Sequence, residues 1–169
     1  NFVGLRNRAM LEVLLATGMR ISELVSLNRN QLDGTGKLFV RGKGRKERFV
    51  YLTDRAIKIL EQFLSLRQDT CEAMFVSLRG ANAGKTTNRI SPNYLQMKIK
   101  EYKEQLRIIV PTSAHSLRHG FATYLAESGA NPAAIQILLG HESLDTTTRY
   151  VHASDKFAQE THTKFHPLK

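Results

Sequence analysis

Two helix-start signals of the same form, Ser91-Pro92 and Asn131-Pro132, restrict this chain more than any other local feature. In each, a side chain able to cap free amides precedes a proline, whose fixed φ suits the first turn of a helix and little else in it. Glycines close matching runs: Gly18 after Leu5 to Thr17, Gly129 after Ser113 to Ser128, and Gly140 after the run that Pro132 begins. A short helix is expected from Ser22, as its cap, through about Leu27, with Glu23 at the positive end of the dipole. Others are expected from Thr53-Asp54 to about Arg67, from Ser91-Pro92 to about Leu106 and from Ser154 to Phe165, with a short helical turn before Tyr150. Lys37 to Val40 and Arg48 to Leu52 read as strands around a Gly-Lys-Gly turn, and Ala73 to Val76 as a third. Residues 77–90, with Gly80, Asn82, Gly84 and Asn88, read as a loop. The expected fold is mainly α (α+β), a helical domain carrying a small three-stranded antiparallel sheet.

At 169 residues, 41% of them apolar, the chain suits one domain with a substantial core, residues 1–169, and no linker or repeat divides it. It begins at Asn1 rather than Met, so a longer protein is expected. No segment reads as a signal peptide or as a membrane span. The single cysteine, Cys71, has no partner for an internal disulfide or a cysteine metal site, and reads as a partly buried small hydrophobe in a reducing setting. Lys and Arg total 25 against 15 Asp and Glu, a net charge of +10 that favours a polyanion partner. Because Trp is absent and other aromatics are sparse, a duplex backbone suits this surface better than stacked single strands.

Four segments hold the residues suited to phosphate chemistry. Arg41 to Arg48 carries five basic residues and one acidic, with Gly42 and Gly44 around Lys43. Such a tip is either solvated or poised to bring a lysine to a phosphate or a leaving oxygen. Arg20 lies in the break between two helices, with Glu23 three residues on to orient it or simply to pair with it at the surface. His115 and Arg118 share a helix face, and His119 follows His115 at four residues, a zinc-ligand spacing without an evident third ligand. Tyr150 follows a Thr-rich, weakly apolar stretch beyond Leu139-Gly140-His141, a poor context for a core tyrosine.

Together these segments resemble the tyrosine recombinase (phage integrase) family, particularly its Xer-like members. The resemblance rests on Thr17-Gly18-Met19-Arg20-Ile21-Ser22-Glu23-Leu24, Gly42-Lys43-Gly44, His115-Ser116-Leu117-Arg118-His119, Leu139-Gly140-His141 and Tyr150, in that order. The intervals of 23 residues from Arg118 to His141 and 9 from His141 to Tyr150 also agree, and the match runs from Leu5 to about Pro167.

The resemblance implies that Arg20 and Arg118 clamp a scissile phosphate, that His115 and His141 stand beside it, and that Tyr150 attacks it. Lys43 would protonate the leaving 5′-oxygen, with Lys46 as its rival. Glu23 and His119 would support the pocket, and Arg41, Arg45, Lys46 and Arg48 would hold the DNA. Two planar guanidinium forks match phosphate oxygens, and a phenol with a reference pKa of about 10 needs such a positive surround to act as a nucleophile. Cationic side chains would then do the work of paired magnesium ions, so neither metal nor cofactor is expected. His152 is expected in solvent.

The implied partner is double-stranded DNA with a specific target site, bound by a homo- or hetero-tetramer on paired sites in the cytoplasm, associated with the nucleoid. Phe157, Thr161 and Phe165 give the last helix a narrow apolar face, suited to packing on its own domain or, as in relatives, to docking residues 154–169 on a neighbouring protomer. Two other readings compete: relaxation of DNA in the manner of a type IB topoisomerase, and a binding module without catalysis.

Overall fold

A computed structural model of the chain describes residues 1–42, 47–78, 88–140 and 151–168, with backbone alone for 151–155. Seven helices and one hairpin occur among them, in the order α1 (Phe2–Thr17), α2 (Ile21–Ser26), β1 (Lys37–Arg41), β2 (Glu47–Tyr51), α3 (Asp54–Ser65), α4 (Pro92–Gln105), α5 (Ala114–Glu127), α6 (Pro132–Leu139) and α7 (Val151–Phe165). The mainly α fold with a small antiparallel sheet is therefore observed. No helix among the described residues is long and apolar enough to cross a membrane.

Local chemistry sets most of the helix ends. Thr53, Ser91, Ser113 and Asn131 each accept a first-turn amide through the side chain. Pro92 and Pro132 follow two of these caps in the first turn. Gly18 ends α1 at φ 62°, a left-handed geometry in which a Cβ would lie 2.5 Å from Cδ1 of Phe121. Here glycine provides both the turn and the space that lets α5 cross the end of α1.

The start of α2 differs from expectation. Arg20, not Ser22, occupies the cap position, and the Glu23 carboxylate reaches back 2.7 Å to accept from the Arg20 amide. A carboxylate three residues into the helix thus supplies the cap that Ser22 was expected to give.

The larger core lies between α1, α3, α4 and the inner face of the hairpin. Met10, Val13 and Leu14 meet Leu38, Val50, Leu60, Phe63 and Leu95, all fully buried or nearly so. Phe63 is the aromatic hub, 5.3 Å from Phe2 and 5.7 Å from Phe75 between ring centroids. A second cluster, with Tyr51, Phe121, Leu125, Ile135, Leu138 and Ala158, joins α5, α6 and α7 to β2. Cys71 is buried in a third, beside Ala73 and Val76.

The expected third strand is not formed among the described residues. β1 and β2 pair in antiparallel register from Lys37 opposite Tyr51 to Arg41 opposite Glu47, and Ala73 makes only an isolated bridge with Asn28. The carbonyls of this segment face guanidinium groups. Arg67 donates to the carbonyls of Cys71, Ala73 and Met74, and Arg6 donates to that of Val76 at 2.7 Å. Side-chain donors thus satisfy acceptors that no neighbouring strand reaches among the described residues.

Those contacts revise the meaning of the basic composition. Arg6, Arg48, Arg67, Arg89 and Arg118 all direct guanidinium donors at backbone carbonyls inside the domain. A good part of the positive excess therefore organises the fold rather than covering its surface.

The last helix packs on its own domain. Its inward face is Ala158, Thr161, His162, Phe165 and, just beyond its end, His166, while Phe157 is exposed. His162 and His166 donate through Nε2 to the carbonyls of Ala16 (2.6 Å) and Leu15 (3.0 Å). Those carbonyls belong to the last turn of α1, where helical partners run out.

Candidate functional site

Arg20 reaches the site from the break between α1 and α2, a position fixed by the left-handed turn at Gly18. Its side chain is 39% exposed, and its Nη1 lies 3.3 Å from Oε1 of Glu23. Among the described residues that contact leaves most of the guanidinium fork available to a ligand. Glu23, whose side chain is only 2% exposed, is held from the other side by Arg48, with Nη1 and Nη2 at 2.7 and 2.9 Å from its two oxygens. Burial works to raise the Glu23 carboxyl. The hydrogen bonds and charge of Arg48 and of Arg20 outweigh it and hold the group below its usual value.

Arg118 rises from the first turns of α5 and is almost wholly buried. Nη1 donates to the carbonyl of Gly18 at 2.8 Å and Nη2 to that of Leu139 at 2.5 Å. The side chain therefore ties the end of α1 to the end of α6 and retains further N–H groups for a ligand. Burial, then the like charges of Arg20 and Arg48, push its pKa down to about 10, with Glu23 acting against them. At neutral pH it is still a cation, crowded by two others, and so an anion arriving here is strongly favoured.

Arg20, Ile21, Ser22, Gln96, Ser113, Ala114, His115 and Arg118 line an open cleft of about 520 Å³. Its floor includes the N-terminal turn of α5, whose dipole adds positive potential. Three guanidinium groups and one carboxylate thus lie in or behind the cleft, with an exposed imidazole at its edge. The arrangement can hold a tetrahedral oxyanion in a bidentate grip and stabilise added charge as that anion reacts.

The structure thus brings together Arg20, Glu23, His115 and Arg118, which lie up to 98 residues apart in the chain. His119 sits one turn beyond His115, its ring 6.0 Å away and nearly parallel, and is exposed away from the cleft lining. Arg41 is exposed and paired across the hairpin with Glu47 at 2.7 Å. Arg48 does not lie among the surface cations where it was expected. Its side chain is 8% exposed and faces inward onto Glu23 and the carbonyl of Leu138. Lys43, Arg45, Lys46, His141 and Tyr150 lie outside the described residues, as does the side chain of His152.

Gln96, Ser113 and Ser22 also line the cleft, although sequence reasoning gave them no site role. Ser113 carried only a capping signal, and nothing local to Gln96 marks it, since its place depends on how α4 packs beside α2.

The sequence profile of the Phage integrase family matches residues 2–156. Tyrosine recombinase XerC of Chlamydia caviae is 36% identical over 173 residues, covering 98% of this chain and 53% of that protein. Among solved structures, XerA recombinase superposes with a TM-score of 0.73 at 30% identity, over 98% of this chain and 60% of that one. XerH site-specific recombinase, bound to its difH substrate before cleavage, gives 0.69 at 25% identity, over 96% of this chain and 44% of that one. The chain spans a little over half the length of the curated relatives it matches.

Proposed function

The chain belongs to the phage integrase family, and from that premise we propose that it is the catalytic part of a tyrosine-type site-specific recombinase that cuts and rejoins duplex DNA through Tyr150. The observation that carries this reading is the convergence of Arg20, Arg118 and His115 on one cationic cleft. In the proposed step the Tyr150 hydroxyl attacks phosphorus, giving up its proton to His115 or to water. The bond to the 5′-oxygen breaks, and that oxygen leaves as a hydroxyl with a proton from Lys43. A 3′-phosphotyrosine link keeps the energy of the broken bond, so attack by a 5′-hydroxyl reverses the step without a nucleotide cofactor. Arg20, Arg118 and His141 neutralise the charge of the five-coordinate phosphorus. Each such donor is worth roughly 2.7–4 kcal/mol.

Arg41, Arg45 and Lys46 are assigned to phosphates flanking the cut, and the partner is duplex DNA with a specific site, met in the cytoplasm at the nucleoid. Exchange between two such duplexes calls for four copies on paired sites. Docking of residues 154–169 on a neighbouring copy then requires α7 to leave the cradle it fills in the single chain.

A nicked suicide substrate, from which the short 5′-hydroxyl strand diffuses away, tests the reading. Wild type should accumulate a covalent protein–DNA adduct and Tyr150→Phe none. Arg118→Ala should cleave at least about a hundredfold more slowly while keeping most of its duplex affinity. An adduct in Tyr150→Phe, or none in wild type on any cognate site, ends the proposal. Plasmid relaxation by a monomer without dependence on a site would favour the topoisomerase-like reading instead.

A further inference from the structure

Arg48 has no part in the proposed chemistry, yet among the described residues it is bound more completely than the arginines that do. We propose that Arg48 is a positioning residue for strand cleavage, fixing Glu23 and the end of α6 so that Arg20 and Arg118 are both aimed into the cleft. The inference rests on the functional reading above.

Three elements far apart in the chain meet on this one side chain. From β2, its two terminal nitrogens grip both oxygens of Glu23 in α2 at 2.7 and 2.9 Å, and Nε donates to the carbonyl of Leu138 in α6 at 2.9 Å. Each partner is one bond from a member of the phosphate clamp. Glu23 accepts from the amide of Arg20 at 2.7 Å and meets its guanidinium at 3.3 Å. The carbonyl next to that of Leu138, on Leu139, accepts from Arg118 at 2.5 Å. Arg48 therefore couples the two clamping arginines, which share no direct hydrogen bond among the described residues.

Only a guanidinium satisfies this geometry. A planar fork spans both carboxylate oxygens while a third N–H points to a carbonyl, and a lysine ammonium at the same place is a point charge on a longer, floppier stem. The backbone is shaped to admit it. Gly140 has φ 65°, and a Cβ there would come within 3.0 to 3.2 Å of Cδ, Nη1 and Nε of Arg48. The close passage places Arg48 against the residue from which the chain departs toward His141 and Tyr150. Its burial removes it from direct contact with a DNA backbone, in contrast to the exposed Arg41 on the opposing strand.

The test uses Arg48→Lys, which keeps the charge and loses the fork, with Arg48→Gln as a second variant, and far-UV circular dichroism to confirm that each is folded. Single-turnover cleavage of the suicide substrate should slow about 10- to 100-fold, while duplex affinity and its salt dependence stay within about threefold of wild type. In the Arg20→Ala background the same substitution should slow cleavage by several-fold less than it does in wild type, because only the Arg118 arm is left to support. Three results would each overturn the inference: cleavage at the wild-type rate, slowing that multiplies fully in the Arg20→Ala background, or weakened duplex binding with a salt slope about one unit smaller, which marks a phosphate contact. If neither variant folds, Arg48 is a determinant of the fold and the positioning role is likewise rejected. Absence of any adduct in wild type sinks the functional reading and this one together, whereas a wild-type adduct with unaltered Arg48 variants sinks this one alone.

Discussion

Lowering the pH from 7.5 to 5 should weaken this domain through the histidines that tie α7 to α1. His162 is buried with its Nε2–H on the carbonyl of Ala16 at 2.6 Å, and its ring lies 4.8 Å from that of His166 and 6.2 Å from that of Phe121. Burial pushes its pKa from the usual 6.5 down to about 4; the Ala16 carbonyl opposes the shift and the neighbouring His166 adds to it. His166 is lowered too, chiefly by burial. Its Nδ1 accepts from the Leu168 amide at 3.0 Å while Nε2 donates to Leu15, so the ring is held as one neutral tautomer.

The sign follows from proton counting. With the folded pKa below the unfolded one, the unfolded chain binds the proton first as acid is added. The stabilisation is therefore fully present above pH 6.5 and is lost progressively from there down to about pH 4. For His162 alone, a shift from 6.5 to about 4 corresponds to a loss of about 2 kcal/mol between pH 7.5 and pH 5. The assay is urea unfolding at both pH values for wild type and for His162→Gln, whose amide can still donate to Ala16 but does not titrate. Titrating groups other than the coupled His166 are common to both proteins and cancel in the difference. Wild type should lose about 2 kcal/mol more than the variant across that interval. Equal losses, to within about 0.5 kcal/mol, would refute the assignment of the pH dependence to this side chain.

Two further substitutions probe the framework of the site. Gly18→Ala places a methyl 2.5 Å from Phe121 at a left-handed φ of 62°, and should cost about 2–4 kcal/mol in urea unfolding; a loss below about 1 kcal/mol would show that α5 shifts readily over this turn. Arg67→Met strips donors from the carbonyls of Cys71, Ala73 and Met74 and should cost about 2–4 kcal/mol while leaving duplex affinity unchanged. An affinity loss instead would place Arg67 at the DNA.

The starts of α3, α4, α5 and α6 were legible in the sequence because each depends on Thr53, Ser91, Ser113 or Asn131 and the three or four residues that follow. A cap is a contact within one turn, so the residues that decide it are neighbours in the chain. The same holds for the left-handed stops at Gly18 and Gly140. The resemblance carried by the ordered motifs also pointed to Arg20, His115 and Arg118 as one site. Local reading failed where a side chain chooses a distant partner. Arg48 sits in a run of basic residues that looks solvated, yet its partners lie 25 and 90 residues away. Ala73 to Val76 has the apolar character of a strand, but its carbonyls face the guanidinium groups of Arg67 and Arg6 in place of a neighbouring strand. Backbone preference is settled within a few residues of sequence. The destination of a buried guanidinium is settled by which carboxylates and helix ends the packed elements bring to it, and that is where tertiary structure alone made the site.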